Sequence, residues 1–141
     1  MSAPDALVQA NGEPVTLLRF VDGTIDRDGA TERTGEYEQT VAIVSNPSEE
    51  DIQRLEGRLD EGGKVLTLQS DTNIQVERSF GPDHVALGHV DPATDDMTLY
   101  RVLDVKDDVH PLAGIRKLTA SVDRTGGRED LPDVSAWQEA T

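Results

Sequence analysis

Residues 14–44 read PVTLLRFVDGTIDRDGATERTGEYEQTVAIV, and this stretch decides the fold class. An apolar run at 14–21 predicts one β-strand, and a second run at 36–44 predicts another. The second strand places three apolar residues on one face: Tyr37, Val41 and Ile43. Residues 22–35, between the runs, contain Asp-Gly turn signals and are mostly polar. We therefore predict an antiparallel hairpin with a glycine-rich tip or long loop.

Further strand patterns follow this hairpin at regular spacing. They are KVLTL at 64–68, HVAL at 84–87, TLYRVLDV at 98–105 and GIRKLTASV at 114–122. Turn-forming residues fill 91–96 and 107–114 between them. Five or six short strands with one short helix predict a mainly β fold, either a small antiparallel β-barrel or a sandwich, with extended loops.

The size and periodicity of the chain predict one domain. At 141 residues it is long enough to bury a core without help, and it has no cysteine, so packing alone must hold that core. Residues 1–13 are small, polar and aperiodic, which predicts a flexible N-terminal segment. The β-domain is predicted to span 14–124, and 125–141 to form a tail that can become ordered on assembly.

One segment has the character of a helix. Residues 48–60 start with Ser48, a good N-cap, followed by three acidic residues that favour the N-terminal end of a helix. The predicted packing face is Ile52, Leu55 and Leu59. Because so short a helix is unstable alone, it must pack on the sheet or on another subunit.

The charge of the chain limits its partners. Asp and Glu number 28 and Lys and Arg 13, which gives a net charge of −15. Such self-repulsion favours a salt-rich cytoplasm, where the screening length falls to about 3 Å at 1 M salt. A salt-loving archaeon or its virus is the predicted source, and an acidic mesophilic protein is the alternative. Sequence-reading contact with nucleic acid is disfavoured. No apolar run is long enough for a membrane span, so we expect a soluble protein without membrane contact.

No constellation of residues predicts catalysis. His84 and His89 have an odd spacing, so they would point to opposite faces of an extended strand, and a shared zinc site is not predicted. The paired acids fit hydrated turns, and no nucleophile elbow or phosphate-binding glycine loop is present. We expect no catalytic residue, no metal and no cofactor, and the chain is not predicted to be an enzyme.

Trp137 is the only tryptophan, and it lies in the polar tail near Leu131 and Val134. Tryptophan is enriched among interface hot spots, so Trp137 is a candidate anchor for a partner. The alternative is that the tail folds back onto its own domain. The residues alone leave both open.

The order of these signals resembles the head-closure or head-to-tail joining proteins of long-tailed viruses, also called stoppers or connectors. The resemblance covers 14–124. It is carried by the glycine-tipped hairpin and by five later stretches: SNPSEEDIQRLEGRL at 45–59, KVLTLQSDT at 64–72, PDHVALG at 82–88, LYRVLDVKDD at 99–108 and IRKLTASVDR at 115–124. Leu55-Glu56-Gly57 lacks the proline of the family's Leu-Pro-Glu-Gly, and the turn at 89–98 is longer than usual. A stopper and a tail-completion protein both remain open.

The resemblance implies a structural virion protein of the neck, assembled in the host cytoplasm. It implies a homo-oligomeric ring of 6 or 12 copies, with a portal or adaptor protein above, a tail-completion or tail tube protein below, and packaged double-stranded DNA nearby. The implied channel or inter-subunit loop, near 57–72, contains Gly57, Arg58, Gly62, Gly63, Asp71 and Thr72. A tail-terminator ring, a halophilic single-domain binding module and an enzyme are the alternative functions.

Overall fold

A computed structural model gives the positions of most of the chain. The described residues are 3–25, 31–47, 49, 53, 63–76, 82–110, 115–131, 134 and 136–140. The elements are α1 (Ala3–Asn11), β1 (Glu13–Ile25), β2 (Thr31–Ser45), β3 (Lys64–Leu68), β4 (His84–Leu87), β5 (Leu99–His110), β6 (Ile115–Gly126), a 3₁₀ turn (Arg128–Asp130) and β7 (Trp137–Glu139). The predicted mainly β class is confirmed, and β3 and β4 have the bounds that the sequence predicted.

Six strands form a closed antiparallel barrel. Their order around the wall is β1, β4, β5, β6, β3 and β2, and β1 pairs with β2 to close the ring of strands. β7 is an extra strand, which lies parallel to β2 at the start of that strand. The structure therefore selects the barrel over the sandwich, and closure gives the wall strands partners on both sides.

The two long hairpins, β1–β2 and β5–β6, leave the barrel at the same end. β4 is antiparallel to both β1 and β5, so β1 and β5 run in the same direction. β1 continues to Ile25 after Leu18, the last residue paired with β4. β5 continues to His110 after Arg101, its last residue in that ladder. We call this the tip end, and the opposite end, where β1 and β5 begin, the base end.

The barrel interior holds the main core. Residues that are directly opposite each other in the ladders share a face, and the inward set is mostly apolar. Its buried members are Val15, Leu17, Ala42, Leu66, Leu68, Ile74, Val85, Tyr100, Val102, Leu118, Ala120 and Val122. On β2 the inward residues include Ala42 and not Val41 or Ile43. The predicted face of Tyr37, Val41 and Ile43 is therefore the outer face of β2. Tyr37 packs there on a second apolar cluster.

The second apolar cluster lies outside the barrel wall. It consists of Leu18, Ala86 and Leu99, packed against Tyr37, Val90, Met97, Leu131 and Trp137. On β1, every residue from Val15 to Phe20 is buried, so this strand is covered on both faces. The outer cover comes partly from the segment 131–140, whose described residues we call the C-terminal strap.

A β-bulge in β5 changes which residues face inward. Val102 pairs with Val122, but the next paired residue is Asp104, opposite Ser121, so Leu103 is the extra residue. A bulge moves the following side chains to the other face. Val105 therefore packs on the interior cluster together with Tyr100 and Val102, although strict alternation places it on the opposite face.

The structure corrects the expectation for the N-terminal segment and leaves most of the predicted helix undescribed. Residues 3–11, predicted to be aperiodic, form α1, whose Val8 is fully buried and which packs against β2, β3 and β6 at the base end. The predicted helix at 48–60, with its face of Ile52, Leu55 and Leu59, lies outside the described residues except for Glu49 and Gln53, which are both helical.

Candidate functional site: the C-terminal strap and the barrel ends

The C-terminal strap is held against the barrel through Trp137. Phe20, Gly35 and Trp137 occupy neighbouring positions on β1, β2 and β7, in one row across the sheet. Gly35 has no side chain, so the indole lies over its backbone and reaches Phe20, with ring centroids 5.7 Å apart and an edge-to-face angle of 64°. A Cβ at Gly35 would be 2.6 Å from Trp137 Cδ2, too close for any other residue without a shift.

Backbone hydrogen bonds fix the strap at both ends of β7. The N–H of Gly35 donates to the carbonyl of Ala136 at 2.9 Å, and the N–H of Ala140 donates to the carbonyl of Tyr37 at 2.7 Å. Tyr37 also has its pKa raised, first by desolvation and then by the charges of Glu139 and Asp91. Of the two possibilities that the sequence left open for Trp137, the structure has the tail folded back onto its own domain.

His84 is buried beside Phe20, under the same outer face. Its ring packs edge-to-face on Phe20 with centroids 5.3 Å apart, and its Nδ1–H donates to the carbonyl of Pro82 at 3.2 Å. Burial lowers the pKa of His84, the charge of Arg101 lowers it further, and the Pro82 carbonyl opposes the change. His84 is therefore held neutral below the pH at which an exposed histidine gains its proton.

A buried arginine lies at the tip end of the barrel interior. Arg19 is 2% exposed, and its Nη1 donates to the carbonyl of Asn73 at 2.9 Å. Its Nη2 lies 3.3 Å from Oε1 of Glu38, whose side chain is 34% exposed. Ile74, which follows Asn73 in the chain, packs in the apolar interior. Arg19 therefore fastens the segment after β3 across this end of the barrel.

The residues predicted to form one channel loop are separated by a strand. Gly63 precedes β3 at the base end, whereas Asp71 and Thr72 follow β3 at the tip end. The five residues of β3 pair with both β2 and β6. Gly63 therefore lies at the opposite end of the barrel from Asp71 and Thr72, and the role of these residues at a channel or between subunits stays a prediction. Three residues of the predicted loop lie outside the described part of the chain: Gly57, Arg58 and Gly62.

The described histidine side chains are apart from one another. His84 is buried in the outer face, whereas His89 is exposed and donates from Nε2 to the carbonyl of Thr40 at 2.8 Å. Among the described residues, no three histidine or acidic side chains come together in a group that could hold a metal ion. Within that part of the chain, no helix combines the length and apolarity needed to cross a bilayer.

Sequence reasoning missed the row of Phe20, Gly35 and Trp137. The signal for it was in 15–21, where apolar residues are too dense for a strand with one wet face. Such a strand needs a cover on its outer side, and Trp137 is the largest apolar residue outside the predicted strands and helix.

Comparisons with protein-family models, with curated proteins and with solved structures found no match to this chain.

Proposed function

We propose that this chain is a structural subunit of the head-to-tail interface of a tailed virus. In this proposal, copies of the barrel form a ring below the portal or adaptor protein, close the DNA-filled head and provide a dock for the tail. The subunit performs no reaction. Its work is to present surfaces in fixed places around a channel.

The observation that carries the proposal is that the two ends of the barrel differ. Two long hairpins extend the wall at the tip end, and α1 packs at the base end. A ring subunit between a head and a tail needs two different ends and a flank that fits a different flank of its neighbour, because closed rings use heterologous contacts. A small barrel with unlike ends meets this geometric requirement.

The charge supports the same role. A chain with a net charge of −15 offers few of the basic groups that release counterions from DNA. A channel wall built from such subunits repels the duplex and lets it move past without sticking. The same charge keeps separate copies soluble until salt or a partner allows them to assemble.

The decisive experiment locates the chain in a particle. An antibody raised against the recombinant protein is applied to purified virions of the producing host, and labelled particles are imaged by negative-stain electron microscopy. We expect label at the junction of head and tail. Label on the tail tip or the capsid shell, or absence of the chain from mature particles, would overturn the proposal.

A second measurement uses the recombinant protein alone, in molar KCl. We expect rings with a central opening at high protein concentration, seen by negative-stain microscopy, with a matching mass by light scattering. Turnover of a substrate by the purified protein would contradict a purely structural role.

A further inference from the structure

We propose that the C-terminal strap is exchanged between copies of the chain, so that the strap of one subunit binds the Gly35 edge of the next. The site that it fills has a defined shape: a row over Gly35, floored by Phe20, with Leu18 and Leu99 beside it. The occupant that we propose for it in the assembly is the same segment, contributed by a second copy of this chain.

The apolar outer face of β1 needs a strap to cover it, but that strap can come from the same chain or from another copy. Residues Val15 to Phe20 are buried on both faces of the strand, so an uncovered barrel would expose Leu18 and Phe20 to water. The contacts of an exchanged strap are the same as those of the closed form. Exchange therefore loses no contact within the site, which is why swapping of an identical element is a low-cost route to assembly.

The attachment of the strap is short. β7 has three residues, Trp137–Glu139, and pairs in parallel with β2 on one side. Parallel pairing is slightly weaker per residue than antiparallel pairing, and short edge elements open at a lower free energy than the barrel itself. The strap can thus leave its site while the six-stranded barrel stays folded.

The connection from β6 to the strap has four residues. Residues 127–130 lie between the end of β6 and Leu131, where the strap begins, and they span at most about 13–14 Å when extended. The connection follows Gly126, whose φ of +141° is a backbone conformation that residues other than glycine rarely adopt. An exchanged strap that keeps its Leu131 contact therefore needs a neighbouring subunit directly beside the end of β6.

Exchange gives the ring its head-to-tail contact: each subunit donates a strap on one flank and accepts one on the other. This role rests on the proposed ring for its setting, but the exchange can be tested without a ring. The chain has no cysteine, so engineered disulfides report only on the chosen pair. Glu36 and Gln138 are directly opposite in the β2–β7 ladder, and Gln138 is exposed.

The test mixes two single variants, Glu36→Cys and Gln138→Cys, one carrying a size tag, in molar KCl with a glutathione redox buffer. We expect a disulfide-linked heterodimer on a non-reducing gel, at least five times more abundant than in a mixture of Gln138→Cys with Asp96→Cys. Asp96 is exposed in the base-end turn and serves as the collision control. The double variant Glu36→Cys/Gln138→Cys shows, by its internal disulfide, that the register is correct.

An internal disulfide in the double variant, with no heterodimer above the control in the mixture, would overturn the exchange. Rings seen under those conditions would leave the proposed function standing and remove only the exchange. Heterodimers together with a failure to find the chain in virions would support the exchange and overturn the proposed function.

Discussion

The indole of Trp137 occupies the space that a side chain at Gly35 would need, so β2 and β7 fit together only because position 35 is glycine. Phe20, on the far side of Gly35, packs edge-to-face with that indole. One missing Cβ therefore allows an aromatic contact across three strands.

Replacing Gly35 with alanine should displace the strap. The added Cβ would meet the indole, and overpacking of this kind costs about 1–3 kcal/mol, more than the roughly 0.4–1 kcal/mol gained from a stiffer unfolded chain. Because Trp137 is the only tryptophan, its fluorescence reports on the strap directly. We expect a red-shifted emission and a lower midpoint of urea unfolding. Gly127→Ala, whose Cβ would have the flexible Glu129 carboxylate as its nearest neighbour, is the control: it should leave the emission unchanged and should not lower the urea midpoint.

Removing the indole itself should weaken the outer cluster without unfolding the barrel. A fully buried tryptophan changed to alanine costs about 3–5 kcal/mol, and Trp137 is only half-buried, so we expect about 2 kcal/mol from urea unfolding followed by circular dichroism. Trp137→Phe should recover about half of the loss, because it keeps an aromatic edge towards Phe20. A loss of all β signal in Trp137→Ala would show that the strap is part of the barrel's own folding unit.

Acid should destabilise the fold through His84. Above its ordinary pKa of 6.5, the histidine is neutral in the folded and the unfolded chain, and it makes no difference to stability. Below that pH the unfolded chain gains a proton that the folded chain, with its lowered pKa, does not, so the free energy of unfolding falls. An asparagine at position 84 can donate a hydrogen bond from its side-chain amide to the Pro82 carbonyl, in place of the Nδ1–H of His84.

We therefore expect His84→Asn to flatten the decline in unfolding free energy between pH 7.5 and 5.5, measured in urea at constant salt. His89→Gln changes an exposed histidine and should keep the wild-type slope. An equal decline in His84→Asn and wild type would mean that other groups control this pH range.

The Arg19–Glu38 pair should show an asymmetric response to substitution. Arg19→Met keeps an aliphatic chain in the interior and leaves Glu38 and Asn73 able to meet water, so we expect a change within about 1 kcal/mol. Glu38→Leu instead leaves the buried guanidinium short of a partner and should cost about 1–2 kcal/mol, discounted because Glu38 is a third exposed. The double variant should be more stable than Glu38→Leu alone, as measured by urea unfolding.

Salt should stabilise the protein strongly. Raising KCl from 0.1 M to 2 M shortens the screening length from about 10 Å to below about 3 Å and reduces the repulsion among 15 net negative charges. We expect the melting temperature to rise by at least about 5 °C, by calorimetry. A variant with Asp71→Asn and Asp96→Asn, both exposed in turns, should melt higher at low salt and gain less from added KCl.

The sequence predicts which strands form, but it misses how far the long strands extend and what covers them. β5 continues to His110, although a turn was expected from 107, and β1 and β2 extend into the expected tip at 22–35. β3 and β4 were predicted to the residue because each is a short apolar run between turn signals, and the β1–β2 pairing followed from two long runs around a glycine-rich tip. The bulge at Leu103 was not predicted, because one extra residue leaves no mark on a pattern of alternating apolar residues.

The misses at the two ends of the chain have a common physical cause. α1 has few apolar residues, and Val8 becomes part of the core only because β2, β3 and β6 surround it. Trp137 finds its place 102 positions away from Gly35, and no local propensity connects those two residues. Contacts made only in the folded chain decide both elements.

The position of the strap in the chain also sets the order of events during synthesis. All six barrel strands precede Trp137 in the chain, the last of them by 11 residues, so they are synthesised before the strap is complete. Until a strap docks, Leu18 and Phe20 on the outer face of β1 are open to water. In the exchange proposed above, this is the state that the strap of another copy binds.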